Sequence, residues 1–254
     1  MKNREPRAAE PTSTPDSHRS KNWRRTRYIV SDEHRFVYLA THKVASTSIL
    51  NALLPLFDFD LDAKSSENLK AGIPVKGLHE RFSQSSYRIS KAKLLAGMDR
   101  KYRRYFKFAF VRNPWDRLVS CYMSKVVLEG PGMVLGKYEN ATLHRNMTFA
   151  EFAEAVCLIS EEEANPHFRS QHTFLCADGP GKGILADFVG RFENLEKDFA
   201  CVTRRIGVGV RLPHAASTGG VRNSRSYCDF YDERLARMVG ERYREDAEIF
   251  GYTF

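Results

Sequence analysis

The sequence predicts an α/β fold, a central and mostly parallel sheet flanked by helices, and two observations carry that prediction. The runs F-V-Y-L-A-T-H at 36–42 and F-K-F-A-F-V at 106–111 are short, β-branched and aromatic, the pattern of strands buried on both faces. Each passes through a short turn into an amphipathic helix, and strands that alternate with helices favour parallel pairing, with ligands bound beyond the strand carboxyl ends. A chain of 254 residues, 42% of them hydrophobic, is long enough for a sizeable core and lies outside the disordered and collagen-like compositions. No internal repeat of solenoid period is present.

Taken in order, residues 1–27 are rich in Pro, Ser, Thr and Arg, with Trp23 almost the only large apolar residue, and read as a disordered basic tail. Tyr28-Ile-Val and the 36–42 run follow as strands. The first helix is expected to be capped by Ser46 or Thr47 and to carry Ile49, Leu50, Leu53 and Leu54 on one stripe until Pro55 interrupts it. After the 106–111 strand, Asn113 suits an N-cap and Pro114 the first helical position. That helix should run to about Leu128, with Trp115, Leu118, Val119, Tyr122 and Val126 on one face. Residues 129–147 read as a loop able to lie over a site. Thr148 to Glu151 form a capping-box pattern that opens a helix through about Ile159. Residues 172–193 read as a hairpin around a Gly/Pro turn whose second arm is a strand, and Asn194 as the cap of a helix to Arg205. A Gly-, Ser- and Arg-bearing loop at 207–226 leads to a last helix, with Leu235, Met238, Val239, Tyr243, Ala247 and Phe250 on one face.

The formal charge of +9 points to an anionic partner, but eight basic and three acidic residues in the tail account for +5 of it, leaving +4 for the folded part. Five scattered Cys without a C-x-x-C pair suggest neither a disulfide framework nor a zinc site. No stretch approaches the roughly 18 apolar residues of a membrane span, and the N-terminus has no apolar core like a signal peptide's. The expectation is a cytoplasmic chain with no transmembrane segment, at most peripheral to a membrane.

Two segments carry chemistry. In H-K-V-A-S-T-S-I at 42–49, a Lys followed by small and hydroxylated residues enters a helix, where backbone N–H groups, hydroxyls and the ammonium can hold phosphate. It is not a Walker A loop, because the G-x-x-x-x-G-K-[ST] spacing is absent. Taken alone, the segment reads equally well as a helix start with an exposed Lys. In F-V-R-N-P-W-D-R-L-V-S-C-Y at 110–122, Arg112 ends the strand and could present a bidentate fork to an anion. At 100° per residue, Asn113, Asp116, Arg117 and Ser120 lie opposite Trp115, Leu118 and Val119. Residue by residue, the simpler reading is an Arg112–Asp116 pair with Ser120 solvated.

Together the segments resemble sulfotransferases that use 3′-phosphoadenosine 5′-phosphosulfate (PAPS). Lys43 with Ser46, Thr47 and Ser48 looks like the family's 5′-phosphosulfate loop, and R-N-P-W-D-R-L-V-S at 112–120 like its 3′-phosphate segment, in which the leading Arg and closing Ser hold the phosphate. N-P-H-F-R-S-Q at 165–171, D-F-V-G-R-F-E-N-L-E-K-D-F at 187–199 and the terminal R-S-Y, F-Y-D-E and Y-R-E-D-A-E-I-F-G-Y segments resemble the carbohydrate branch, so the similarity spans about 28–254. The first loop departs from the common P-K-T-A-G-T-S: His42 precedes the Lys, and Val44 and Ser46 replace Thr and Gly.

The resemblance implies one P-loop-like sulfotransferase domain over 28–254 that moves a sulfuryl group in line from PAPS to a carbohydrate hydroxyl. It implies no metal and no nucleic-acid partner. Lys43 would stabilise the leaving group, and Val44, Ala45, Ser46, Thr47 and Ser48 would hold the 5′-phosphate by helix N–H groups and hydroxyls. Arg112 and Ser120 would read the 3′-phosphate, and Arg225, with Tyr227, would close over the nucleotide. His79 occupies the place of the family's base, after a second stretch expected to be a strand, with Glu80 the adjacent alternative. His167, Arg169 and Gln171 would line the acceptor pocket, while His144, His172 and His214 read as surface or structural. Two rivals remain at this level: an ATP-using kinase of P-loop-like fold, and a non-catalytic basic module that binds polyanions.

Overall fold

The computed structural model describes residues 27–71, 73, 75, 77–98, 100–128, 134–177, 183–213 and 225–254. The expected basic tail up to residue 26, His214 and most of the 207–226 loop therefore lie outside the described residues, as do parts of the 129–147 and 172–193 segments, while Arg27, the last residue of that tail, already belongs to a strand.

Five strands form the main sheet: β1 (Arg27–Ser31), β2 (Phe36–Leu39), β3 (Arg88–Ser90), β4 (Phe106–Val111) and, last in the sheet, the strand Phe188–Arg191. Between β4 and that strand, two-residue strands β5 (Gly136–Lys137) and β6 (Thr142–Leu143) form a separate antiparallel ribbon, so the last main strand is β7. The order is β3-β1-β2-β4-β7. β2, β4 and β7 pair in parallel, whereas β1 runs against both β2 and β3. Four of the five strands thus point one way, as expected of a mostly parallel sheet.

Alternation along the central strands builds two cores. Phe36, Tyr38, Phe108 and Phe110 face one side with Ile49, Leu50, Leu53, Phe82, Phe199 and Val202. Val37, Leu39, Ala109 and Val111 face the other with Leu118, Val119, Phe152, Val156, Leu235 and Val239. The first layer is built by α1 (Ser46–Leu53), the short α2 (Ala63–Lys70), α3 (Leu78–Gln84) and, much later, a long helix over Leu195–Ile206. In chain order, α4 (Lys91–Ala96) follows β3, α5 (Pro114–Tyr122) follows β4, and α6 is Phe149–Leu158. The one-turn α7 (His172–Leu175) precedes β7, and the Leu195–Ile206 helix is therefore α8. α9 (Glu233–Arg242) joins α5 and α6 in the second layer, and α10 (Arg244–Phe250) ends the chain. Gly190 makes the β4–β7 register possible: a Cβ there would lie 2.4 Å from the Phe110 ring, so only hydrogen lets these strands pair at that position.

Several local expectations change. α1 is capped by neither Ser46 nor Thr47: its N-cap is Ala45, in the left-handed region at φ 61°, with no side-chain cap. The helix after β4 keeps its Asn113 cap and Pro114 start, but past Tyr122 it widens into a π turn over Met123–Val127, closed by Leu128 N–H donating to the Met123 carbonyl at 3.0 Å. The first arm of the expected 172–193 hairpin is helix α7, because Asp246 caps its N-terminus, and hairpin pairing shrinks to one bridge, Cys176 with Ile184. Asn194 precedes α8 without a side-chain cap. The last helix breaks into α9 and α10 at Tyr243, whose ring is buried and whose hydroxyl donates to the Phe168 carbonyl at 2.5 Å. Among the described residues no strand lies between α2 and His79; Val75 there is buried, its N–H donating to Asn51 Oδ1. The Thr148–Glu151 capping box forms as expected.

Candidate functional site

The two motif segments meet because β2 and β4 are parallel neighbours, so their carboxyl ends, and the turns into α1 and α5, open on the same side of the sheet. Thr41 Oγ1 donates to the Phe110 carbonyl at 2.6 Å, extending the contact past the last ladder pair. The turn then carries two non-glycine residues in the left-handed region, Lys43 at φ 67° and Ala45 at φ 61°. Each such residue costs on the order of 1–2 kcal/mol. Strain of this kind persists only where neighbours hold it, and Arg112 supplies one hold: its Nη1 donates to the Lys43 carbonyl at 3.2 Å. Ser46, which stands where the resembling loops carry Gly, has no positive φ; the left-handed residue is the one before it.

With no side-chain cap and no acid in its first turn, α1 directs its partial positive charge into this turn. Lys43 lies within it, its Nζ donating to Ser124 Oγ at 2.6 Å. Burial, together with the charges of Lys125, Arg112 and Arg117, pushes the Lys43 ammonium down to about 8. Arg112 is buried, stacks at 3.9 Å on the Phe192 ring, and donates from Nε to Asp116 Oδ2 at 2.6 Å. The Arg112–Asp116 pair allowed by the sequence is therefore formed, and it orients the guanidinium. Ser120 lies one turn past Asp116 and is buried. Every residue from Pro114 to Cys121 is buried, so the face expected to be polar and open is packed inside the protein.

Three imidazoles border the cluster. The His42 and His167 rings lie 4.9 Å apart, and His79 Nε2 lies 3.2 Å from Thr47 Oγ1. Burial and the surrounding cations push His42 well below the ordinary histidine range and His167 to about 3. His79 keeps area open to solvent, yet protein crowding its ring, with the Arg88 charge, also pushes it down. All three are neutral at neutral pH. Glu80 is exposed in the first turn of α3. Arg225 is exposed, and Tyr227 beside it approaches α5, with Asn113 Nδ2 donating to its hydroxyl at 3.4 Å.

Two residues expected to line an acceptor pocket are buried braces instead. Arg169 donates from Nε and Nη2 to the Ala164 carbonyl, and Gln171 is wholly buried. The Gln171 amide clasps the Arg112 backbone from both sides: Arg112 N–H donates to Oε1 at 2.9 Å, and Nε2 donates to the Arg112 carbonyl at 2.9 Å. Asp246, also wholly buried, accepts from the backbone N–H groups of Gln171 and His172 at 2.7 Å. A buried carboxylate thus fixes a buried amide that fixes Arg112. Among the described residues no group of three His, Cys, Asp or Glu side chains is placed to hold a metal ion.

Comparison with known proteins gives this arrangement a family. The family model described as "Sulfotransferase family" matches residues 26–253. The chain belongs to the sulfotransferase family. Among relatives, it is 27% identical to mouse carbohydrate sulfotransferase 12 over 91% of this chain and 61% of that protein. It is 23% identical to mouse carbohydrate sulfotransferase 10 over 89% of this chain and 67% of that protein, and 26% identical to zebrafish (Danio rerio) carbohydrate sulfotransferase 14 over 88% and 61%. The chain thus spans about three fifths to two thirds of the length of these relatives. No solved structure matches it significantly.

For this sulfotransferase-family chain, sequence reasoning missed Arg117, Ser124, Gln171's clasp and Asp246. The helical wheel puts Arg117 on a polar face, but it is a buried brace, donating to the carbonyls of His42 at 3.0 Å and Arg169 at 2.7 Å. It therefore ties the Lys43 turn to the loop that carries His167. Ser124 reaches Lys43 through the π turn, which a uniform 100° helical wheel does not contain.

Proposed function

We propose that the chain transfers a sulfuryl group from PAPS to a hydroxyl of a carbohydrate acceptor. The observation that carries the reading is the union of the two anion-binding junctions, with Arg112 donating to the Lys43 carbonyl and a half-buried Lys43 held beside an uncapped helix start. One end of this cluster suits a 5′-phosphosulfate and the other a 3′-phosphate, the group that distinguishes PAPS from ATP.

In this reading the acceptor oxygen attacks sulfur as the bond from sulfur to the 5′-phosphate oxygen breaks, in line. Lys43 and the first-turn N–H groups of α1, with Thr47 and Ser48, meet the charge that accumulates on the departing oxygen. His79, neutral and 3.2 Å from Thr47, takes the hydroxyl proton; its depressed basicity keeps its lone pair available at neutral pH. Arg112, aligned by Asp116 and Gln171, holds the 3′-phosphate with Ser120, and Arg225 and Tyr227 approach from the loop before α9. His167 faces the same cluster from the acceptor side, fixed by Asn165 Oδ1 at 2.8 Å from its Nδ1. Relatives named carbohydrate sulfotransferases support the choice of acceptor class.

Calorimetry with 3′-phosphoadenosine 5′-phosphate, using the wild type and Arg112→Ala, tests the donor assignment. Loss of a charge-assisted contact should weaken binding by about tenfold or more. Equal affinity refutes it, and tighter binding of ATP with Mg²⁺ than of the 3′-phosphorylated nucleotide favours a kinase.

A further inference from the structure

A second basic cleft lies at the opposite end of the sheet. A cleft of about 510 Å³ opens at the amino ends of β4 and β7, lined among others by Arg103, Arg104, Tyr105, Phe106, Asp187 and Arg205. That size suits a discrete ligand. β4 passes from this cleft at Phe106 to the donor site at Arg112, six residues or roughly 20 Å of extended chain, so the two sites are separate.

The cleft is electrically unbalanced. Its carboxylate, Asp187, is already committed, lying 2.9 Å from Lys107 Nζ and accepting from the Lys107 N–H at 2.8 Å. Lys101, on the same short turn as Arg103 and Arg104, is likewise spent on Asp32 at 2.7 Å. Arg103, Arg104 and Arg205 are exposed, and among the described residues no carboxylate pairs with any of them. Arg205 lies over the Phe106 ring at 5.9 Å, which aims a guanidinium across an aromatic floor. Three cations with no carboxylate partner among the described residues repel one another around one concavity, and a bound oligoanion relieves that repulsion.

We propose that this cleft binds a sulfated or uronate-bearing oligosaccharide. The inference rests on the carbohydrate reading above and adds a second contact for an anionic glycan, distant from the reacting centre. Guanidinium forks match sulfate and carboxylate oxygens two at a time, and the half-buried Phe106 ring beneath Arg205 adds apolar surface for a sugar ring. The concave shape suits a chain segment better than a planar lipid surface.

The test is calorimetry with a heparin-derived hexasaccharide, on the wild type and on the Arg103→Ala/Arg104→Ala/Arg205→Ala variant, each also titrated with 3′-phosphoadenosine 5′-phosphate. The expected result is a loss of hexasaccharide affinity of about tenfold or more, with nucleotide affinity unchanged within twofold. Should the triple variant lose nucleotide binding through misfolding, the single Arg104→Glu variant must still weaken the hexasaccharide. Hexasaccharide affinity unchanged in these variants, or abolished only by Lys43→Ala, overturns the site. Tighter cleft-dependent binding to phosphatidylserine vesicles or to a single-stranded oligonucleotide overturns the glycan assignment. A wild type that binds the hexasaccharide through the cleft but not the nucleotide upholds the cleft and refutes the donor reading instead.

Discussion

Lys43 makes the sharpest prediction, because its ammonium is pushed down to about 8 by burial and by three neighbouring cations. Relative to an ordinary lysine near 10.5, that shift corresponds to about 3 kcal/mol held against the charged form in the free protein. Between those two values the unfolded chain binds more protons than the folded one, so this group makes stability rise with pH across about 8 to 10.5. Donor binding must do the reverse: a phosphosulfate or phosphate beside Nζ restores the charged form and draws in a proton above pH 8. If the complex returns Lys43 to its ordinary value, affinity for 3′-phosphoadenosine 5′-phosphate falls by about 30-fold from pH 7 to pH 9.5. Neighbouring groups leave this window clear. His42, His79 and His167 all lie below their ordinary range and stay neutral, and burial pushes the Cys121 thiol up to about 11, so it stays protonated through most of the span. Calorimetry at pH 7.0, 8.5 and 9.5, in buffers of different ionisation enthalpy, measures affinity and proton uptake together. A Lys43→Met variant should bind more weakly and with a flat profile. Affinity independent of pH above 8, or binding without proton uptake at pH 9.5, would refute the placement of the anion beside Lys43.

Other consequences can be measured directly. Gln171→Ala removes two buried bonds to the Arg112 backbone and leaves a void, and should cost about 2–4 kcal/mol in urea unfolding as well as weakening nucleotide binding; unchanged stability would show that the clasp is dispensable. Burial opposes protonation of His172, but its bond to Asp246 and the Asp246, Glu245 and Glu161 charges outweigh it and raise its affinity for the proton. The resulting stabilisation is full below about pH 6.5 and is lost as pH rises through the raised value, so His172→Phe should flatten that decline in unfolding free energy, and an unaltered profile counts against the pair. Ala45→Gly relieves a left-handed residue and should raise stability by up to about 1 kcal/mol by thermal unfolding, whereas a loss of stability would mean that the turn is not strained.

What could be read in advance followed local rules. The 36–39 and 106–111 strands are visible because each buries side chains on both faces, and the Asn113-Pro114 start and the Thr148 capping box are local bonding patterns that need no tertiary information. Lys43 and Arg112 were legible for the same reason, being cations at strand–helix junctions. Features set by distant partners were not legible. α7 exists where a strand was expected because Asp246, some 74 residues onward, caps it. The helical wheel misplaced Arg117 because carbonyls from two other loops satisfy its guanidinium inside the protein, and a side chain with five donors can be buried once carbonyls are supplied. Ser124 was hidden by the π turn, whose extra residue rotates everything after Met123 out of the expected phase.

The buried polar network explains how a strained, cationic turn survives. Lys43 and Ala45 are held left-handed, α1 begins without a cap, and the surrounding cations repel one another, all of which disfavours the free protein. Opposing these costs is a continuous set of buried bonds: Asp246 to the backbone of Gln171, Gln171 to the backbone of Arg112, Arg112 to the Lys43 carbonyl, and Arg117 to His42. None of these bonds consumes the Lys43 ammonium or adds a carboxylate to the turn after β2. The scaffold therefore fixes geometry while, among the described residues, placing no carboxylate on the Lys43 ammonium, whose counter-charge an anionic donor would bring in the proposed reading. A rigid site of this kind should lose affinity when Asp246, Gln171 or Arg117 is replaced even though the proposed reading gives none of the three a contact with the ligand, whereas a site that simply collects surface cations would respond only to the loss of the cations themselves.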